Sequence, residues 1–258
     1  MARIEMDATV PMTPGFEVIA DLHLDAADLG SCGEFAAWVD ARQDLSRLVI
    51  LGDLFDAWVG PGHAQMEGAR VVLEALRRVG ERGGSVDLLW GNRDFLLDET
   101  TAREAGASLQ RDSLVGVSEG GERTLFVHGD ELCTMDTSYQ RLRRFLRSRI
   151  ITGSLLMLPI SASLWLARRL RSESKRAVGS KAPEEMAMQE DVVLDLSRRH
   201  GATALVCGHA HRWRDELLDD EVRWVVLDAF GGPMDCLQVG PDGSLVGTSS
   251  GFGKGGTS

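Results

Sequence analysis

The feature that most constrains this chain is a series of apolar segments that each end in side chains able to bind a metal. The first segment is FEVIA at 16–20, and Asp21 and His23 follow it directly. Residues two apart on a strand point to the same face, so these two side chains can reach one point. Further apolar segments occur at 47–52, 86–90, 123–128, 203–208 and 222–228. The first four of these lead to Asp53, Asn92, His128, and the pair His209 and His211.

The same segments predict an α/β fold. Helical patterns at 33–45, 64–82 and about 99–105 lie between the early strands, and nearly continuous apolar strands indicate a sheet buried on both faces. A long helical block at 134–200 follows, with two strands expected after it. Ligands of open α/β sheets bind beyond the carboxyl ends of the strands. We therefore expect the polar strand ends to converge on one site.

Each motif alone has an ordinary explanation. A strand-end Asp is often a turn or cap residue, GNRD can be a simple turn, and His pairs occur in plain loops. Five such endings in succession are much harder to explain without a common ligand. Carboxylates, an amide oxygen and imidazoles are hard or borderline metal ligands, and no cysteine is among them.

Composition excludes several classes of protein. The 258 residues carry a net charge of −11, which argues against a general nucleic-acid binder. The four cysteines are scattered without a CxxC pair, as in reduced cytoplasmic proteins. Residues 1–15 lack the apolar run of a secretory signal, and residues 247–258 are rich in Gly and Ser. We expect one domain at 16–240 with flexible segments on either side, and no obligate protein partner is evident.

A basic, partly apolar block interrupts the acidic chain. Residues 137–181 contain eleven Lys or Arg and one acidic residue, Glu173, and residues 150–167 are uncharged. Eighteen such positions approach the length of a membrane span, but His128 and His209 flank the block and must meet on one side of a bilayer. We expect residues 134–190 to form a helical lid whose apolar face binds acyl chains and whose basic flanks meet an anionic membrane surface. The alternative is a plain buried core helix.

The ordered motifs resemble the calcineurin-like metallophosphoesterases, whose fold is a two-layer β-sandwich flanked by helices. More narrowly, they resemble the UDP-2,3-diacylglucosamine hydrolase family of lipid A biosynthesis over about 18–212. The matching stretches are ADLHL, LGDLFDAWVG, GNRDFLL, HGDELCTMDTSYQ, RLRSESK and GHAHR. GNRDFLL and the LCTxDxxYQ pattern are more specific than the metal-ligand motifs, which the whole superfamily shares.

The resemblance implies two Mn²⁺ ions, with other divalent transition metals as alternatives. One ion would be held by Asp21, His23, Asp53 and His211, and the other by Asp53, Asn92, His128 and His209. A carboxylate that bridges two cations is consistent with two-metal phosphoryl chemistry. The implied catalytic residues are Asp53, Asn92, Arg93 and His128.

The implied reaction is hydrolysis of the pyrophosphate of a lipid-linked UDP-sugar at the inner face of the inner membrane. The implied substrate contacts are Asn92, Arg93, Asp136, Ser174 and Lys175, although Asp136 can instead cap a helix and Ser174 and Lys175 can lie on a solvated helix. One alternative is a phosphoesterase that acts on another nucleotide diphosphate or phosphodiester. A non-catalytic scaffold is a third reading, but it would be expected to have lost ligands, and all seven are present.

Overall fold

Two six-stranded sheets form the body of the protein in a computed structural model that describes residues 8–159, 161–167, 169, 186–240 and 242–253. The strands are β1 (Ala8–Pro11), β2 (Phe16–Ile19), β3 (Arg47–Ile50), β4 (Ser85–Leu89), β5 (Ala107–Gln110), β6 (Ser113–Val117), β7 (Arg123–Val127), β8 (Ala204–Cys207), β9 (Arg214–Leu218), β10 (Val222–Val226), β11 (Cys236–Val239) and β12 (Leu245–Thr248). The helices are α1 (Leu29–Asp40), α2 (Glu67–Glu81), α3 (Glu99–Glu104), α4 (Thr137–Leu146), α5 (Arg149–Leu156) and α6 (Glu190–His200). Residues 161–167 are also helical, and short 3₁₀ helices occupy Pro61–Gln65 and Asp130–Leu132.

The order of the strands brings the predicted ligand-bearing ends together. One sheet has the order β12-β11-β2-β3-β4-β5, with β2 to β5 parallel. The other has the order β1-β6-β7-β8-β10-β9, with β7, β8 and β10 parallel. All five strands that precede predicted ligands, β2, β3, β4, β7 and β8, lie inside a sheet rather than at its edge.

The core explains why these strands are continuous apolar runs. Phe16 and Val18 of β2 face the other sheet, where Phe16 lies 5.7 Å from the Phe126 ring between ring centres. Ile19 and Ile50 point the opposite way, into a second core beneath α1, α2 and α3. A third core lies between the other sheet and α6. The predicted two-layer sandwich flanked by helices is therefore confirmed.

Six strands were not predicted, and two were expected after the helical block where five occur. Four of the missed strands, β1, β5, β9 and β12, lie at the edges of the sheets. Of these, β9 reads RDELL, and most of its residues are exposed. Such an edge strand buries too little apolar surface to leave an apolar run in the sequence. The predicted helices correspond to α1, α2 and α3, with the first residues of 64–82 in the 3₁₀ helix instead.

The expected flexible ends are wrong for their inner residues. β1 pairs in parallel with β6, and Val10 and Met12 are buried between the sheets. At the other end β12 pairs with β11, and the buried Ser250 donates from its backbone N–H and its hydroxyl to Asp235, at 2.6 and 2.5 Å. The folded unit therefore extends beyond the predicted 16–240, because sheet pairing and the Asp235 carboxylate hold segments that composition alone predicted to be loose.

The predicted insert contains α4, α5 and the helical residues 161–167. Among the described residues of 150–167 only Ser163 is buried, which contradicts the alternative of a plain buried core helix there. Large apolar side chains are exposed instead, among them Ile150 at 81% and Met157 at 87%. Among the residues described, no helix has the length and apolar character needed to cross a bilayer.

Candidate metal centre

The loops that follow the central strands meet at one end of the sandwich. The His23 N–H donates to the Asp53 carbonyl at 2.9 Å, which joins the loops after β2 and β3. The Gly208 N–H donates to the His128 carbonyl at 3.0 Å and joins the loops after β7 and β8. The two sheets are connected where the His209 N–H donates to an Asp21 carboxylate oxygen at 2.6 Å.

Five of the seven predicted metal ligands have left-handed backbone conformations. Their φ angles lie between 50° and 67°, and the residues are Asp21, His23, Asp53, His209 and His211. A non-glycine residue in this region costs on the order of 1–3 kcal/mol, and such residues cluster at functional sites. The left-handed turn directly after each strand aims the side chain at the common centre.

Two glycines make room for the acidic side chains. A Cβ on Gly91 would lie 2.1 Å from Asp53 Oδ1, and one on Gly208 would lie 2.4 Å from Asp21 Oδ2. Real Cβ atoms do not approach other atoms so closely, so any side chain at either position would displace a carboxylate. The glycines of GNRD and GHAH therefore keep space for the site.

The side chains form two overlapping groups of potential ligands. Donor atoms of Asp21, His23 and His211 lie within 4.8 Å of one another, and so do those of Asp21, Asp53 and His128. His23 Nδ1 also lies 3.6 Å from Asp53 Oδ2, so both carboxylates occupy the middle of the cluster. The structure thus brings together the residues that the strand-end pattern predicted, with Asp21 common to both groups.

Asn92 and His209 complete the set. With its amide nitrogen turned toward Asp53, Asn92 lies 3.0 and 2.6 Å from the two carboxylate oxygens. The His209 ring centre is 5.2 Å from that of His128, with the planes inclined by 69°. All seven predicted ligands therefore border one space.

Neighbouring groups orient one of these side chains and join two of the loops. His128 Nδ1 lies 2.7 Å from the Leu51 carbonyl, so it carries the proton, and Nε2 is left to face Asp53 at 3.9 Å. The Asp94 carboxylate accepts hydrogen bonds from the Leu54 and Gly91 amides, both at 2.8 Å. Asp94 thereby couples the loop after β3 to the loop after β4.

The electrostatics of the cluster favour a bound cation. Burial, with the nearby charges of Asp94 and Asp21, raises the pKa of Asp53 to about 7 against the opposing effect of His128. Burial also lowers the pKa of His23 to about 4, with Arg93 adding to the shift. Burial likewise lowers the pKa of His209 to about 4, so these two imidazoles stay neutral, as metal ligation requires. For His128 burial lowers the pKa, but the charges of Asp53 and Asp130 raise it overall to about 9, so this imidazole and the Asp53 carboxylate share a charge that a bound cation would replace.

Unpartnered atoms support the same fit. Asp21 Oδ1 and His23 Nδ1 are buried, and neither has a hydrogen-bond partner. A buried polar atom without a partner costs about 1–3 kcal/mol. Lone pairs directed into an acidic pocket, together with the glycines that keep it open, suit O- and N-ligated divalent cations.

Arg93 lies at the rim of this pocket. Its Nη1 donates to Asp56 at 2.6 Å, its Nε lies 3.4 Å from Asp53 Oδ2, and the side chain is one-third exposed. The guanidinium is therefore held beside the candidate ligands while part of its surface faces solvent.

The other predicted substrate contacts are placed differently. Asp136 is the N-cap of α4 and accepts a hydrogen bond from the Tyr139 amide at 3.0 Å. A contact between Asp136 and substrate remains a prediction. Ser174 and Lys175 lie outside the described residues.

Sequence reasoning missed the partners of Asp130 on the insert side of the site. Asp130, which directly follows the His128–Gly129 pair, is fully buried, and it accepts hydrogen bonds from the Tyr139 hydroxyl at 2.7 Å and from Arg143 Nε at 2.8 Å. The spacing of Tyr139, Arg143 and Arg147, four residues apart, was a usable signal because such residues share a helix face.

The comparison with family profiles identifies the class of this protein. Residues 16–213 match the profile described as calcineurin-like phosphoesterase. That range contains all seven candidate ligands and both sheets' central strands. The chain therefore belongs to the calcineurin-like phosphoesterases.

Curated relatives point to a narrower group. A Pseudomonas putida protein named UDP-2,3-diacylglucosamine hydrolase is 38% identical over 76% of this chain and 81% of its own length. A protein of the same name from Pseudomonas paraeruginosa is 39% identical over 78% of this chain and 83% of its own. A protein of the same name from Pseudomonas fluorescens is 35% identical over 88% of this chain and 92% of its own length. The resemblance drawn from the motifs is confirmed.

Proposed function

We propose that this protein hydrolyses the pyrophosphate of UDP-2,3-diacylglucosamine, releasing UMP and 2,3-diacylglucosamine 1-phosphate for lipid A biosynthesis. The observation that carries the proposal is the position of the site, which lies between a phosphoesterase body and an insert with exposed apolar side chains. The names of the three relatives support the same substrate. Water attacks the α-phosphorus, the P–O bond to the bridging oxygen breaks, and the sugar phosphate leaves.

We assign one cation to Asp21, His23, Asp53 and His211, and the second to Asp53, Asn92, His128 and His209. A bound pair of divalent cations, Mn²⁺ in our proposal, supplies charge that stabilises the transferring phosphoryl group and lowers the pKa of water. In this assignment Asp53 would contribute to holding both cations, and the Leu51 carbonyl keeps Nε2 of His128 directed inward. Loss of a group that orients a metal-binding imidazole in this way typically lowers metal affinity or activity by about 10–100-fold.

Arg93 binds the phosphoryl oxygens in this proposal. Asp56 anchors one side of its guanidinium, and the exposed third of the side chain leaves other N–H groups available. A planar guanidinium pairs with phosphate through two parallel hydrogen bonds. Arg93 thereby stabilises the negative charge that develops on the substrate.

The insert supplies the surface for the lipid. Ile150 and Met157 are mostly exposed, and Arg141 of α4 is exposed too. Apolar side chains beside basic ones suit acyl chains and anionic headgroups. We place the protein at the cytoplasmic face of the inner membrane, bound peripherally through this insert.

A substrate panel tests the proposal. The protein with Mn²⁺ is incubated with UDP-2,3-diacylglucosamine, UDP-glucose or bis-p-nitrophenyl phosphate, and products are identified by mass spectrometry. We expect kcat/KM for the lipid to exceed that for UDP-glucose by at least two orders of magnitude. Equal turnover of UDP-glucose would favour the alternative of a general phosphoesterase for soluble substrates.

Flotation with vesicles tests the membrane assignment separately. We expect co-flotation with vesicles that contain anionic phospholipid at low salt and release at high salt, because charge attraction is screened. Absence of binding at low salt would refute peripheral association without affecting the assignment of the substrate.

A further inference from the structure

A buried carboxylate, Asp130, helps to fasten the insert to the phosphoesterase body. Asp130 Oδ2 accepts hydrogen bonds from the Tyr139 hydroxyl and from Arg143 Nε. Arg147 Nη2 lies 3.5 Å from the same carboxylate oxygen. This carboxylate therefore joins the end of β7 to α4.

Arg147 makes a second contact that Arg143 does not. Its Nη2 donates to the Gly91 carbonyl at 2.9 Å, and the side chain is only 11% exposed. Gly91 precedes Asn92 and Arg93, so this hydrogen bond joins the insert directly to the GNRD loop.

The Gly91 carbonyl is a sensitive point of the site. A peptide unit is planar, so the Gly91 carbonyl and the Asn92 N–H turn together. On its other side the Gly91 N–H donates to Asp94, and a Cβ at this position would lie 2.1 Å from Asp53 Oδ1. A shift of this carbonyl therefore changes the direction in which the Asn92 and Arg93 side chains leave the backbone.

We propose that Arg147 is a positioning residue of the hydrolytic site: by holding the Gly91 carbonyl, it sets the positions of Asn92 and Arg93. This inference rests on the proposed phosphoesterase function but not on the lipid substrate. It also gives the insert a role in catalysis that is independent of acyl-chain binding.

The chain provides matched comparisons for Arg147→Ala. Arg143→Ala removes a partner of Asp130 and loosens α4 without freeing the Gly91 carbonyl. Arg144→Ala removes an exposed arginine of α4 that donates to Gln140 within its own helix. Arg147→Lys keeps a charge near Asp130 but cannot span Asp130 and the Gly91 carbonyl in the way that a guanidinium does.

The first readout is hydrolysis of bis-p-nitrophenyl phosphate, which needs no acyl-binding surface. We expect Arg147→Ala to lower kcat by about 10–100-fold with little change in KM, as for other residues that orient ligands. Added guanidinium ion should restore part of the lost kcat in Arg147→Ala alone. Arg143→Ala should lower kcat much less, and Arg144→Ala should match the parent chain.

The second readout is Mn²⁺ affinity, measured by electron paramagnetic resonance. Because Asn92 is an assigned ligand, Arg147→Ala should weaken the binding of Mn²⁺ by about tenfold or more, and Arg144→Ala should not. Circular dichroism identifies any variant that fails to fold. If Arg147→Ala does not fold, Arg147→Lys takes its place, with the same expected loss of kcat and of Mn²⁺ affinity.

The outcomes separate this inference from the proposed function. Equal losses in Arg147→Ala and Arg143→Ala without guanidinium rescue would make Arg147 a structural fastener and overturn the proposal. Unchanged kcat and Mn²⁺ affinity in Arg147→Ala would overturn it too. Failure of the parent chain to hydrolyse UDP-2,3-diacylglucosamine would contradict the proposed function, whereas Mn²⁺ affinity and diester turnover would still decide the role of Arg147.

Discussion

The site at the strand ends and the insert differ in burial, in backbone conformation and in the space around their side chains. At the site, Asp21 and Asp53 are almost completely buried, their backbones are strained, and neighbouring glycines leave no spare volume. In the insert, no residue of α4 is fully buried, and Ile150 and Met157 face solvent. In our proposals the body supplies the chemistry through a rigid arrangement, while the exposed face of the insert, apart from Arg147, supplies a surface that tolerates substitution.

The largest effect is expected at the centre of the rigid region. Asp53→Asn removes the charge proposed to hold both cations, and we expect kcat to fall by about 10³-fold. Asp220→Asn serves as the control, because Asp220 has a similar φ of 54° but lies in an exposed turn. Comparable activity in the two variants would refute the role of Asp53.

Chelation should affect the site and not the insert. Ligands that bind only the folded state stabilise it by about 2.7 kcal/mol at a hundred times Kd, so EDTA should lower Tm by about 5–10 °C. Hydrogen exchange should increase in the loops around Asp21, Asp53 and His209 while α4 stays unchanged. Because burial raises the pKa of Asp53 to about 7, a proton competes with the cation below that pH.

The stabilisation by Mn²⁺ should therefore be larger at pH 8 than at pH 6. A Tm that does not respond to EDTA at either pH would contradict a resident cation.

Two glycine substitutions sharpen the comparison further. Gly91→Ala places a methyl group against the Asp53 carboxylate, so we expect a loss of about 1–3 kcal/mol in the free energy of unfolding together with lost activity. Gly153→Ala in α5 meets no atom within 4 Å and should stabilise the protein by about 0.5–1 kcal/mol. Urea denaturation measures both, and equal effects would mean that the two regions do not differ in rigidity.

The smallest effect on stability is expected at the surface of the insert. The double substitution Ile150→Ser and Met157→Ser removes apolar area that is already exposed in the folded protein. The free energy of unfolding should therefore change by less than about 0.5 kcal/mol. KM for the lipid should rise by about tenfold, with diester hydrolysis unchanged. Leu217→Ser, at an exposed position on β9, is the control. A matching loss of diester activity would show that the insert surface is not specific for lipid.

Much of the site was predictable because its residues are tied to strand ends. A buried parallel strand leaves an apolar run, and the first polar residue after it marks the carboxyl edge of the sheet. Residues such as Asp21, Asp53 and His128 can therefore be identified from the sequence alone. Asp136 shows the limit, since the same residue predicts a helix cap or a substrate contact, and the structure places it as a cap.

By itself, the sequence determined the α/β class, the central strands and the set of candidate ligands, because local periodicity and strand endings encode them. Only the tertiary structure decided that β1 and β12 belong to the sheets, and that Arg147 reaches Gly91 across 56 positions. Short edge strands and long-range hydrogen bonds gain their free energy from partners distant in the chain. No local pattern records which partner each will meet.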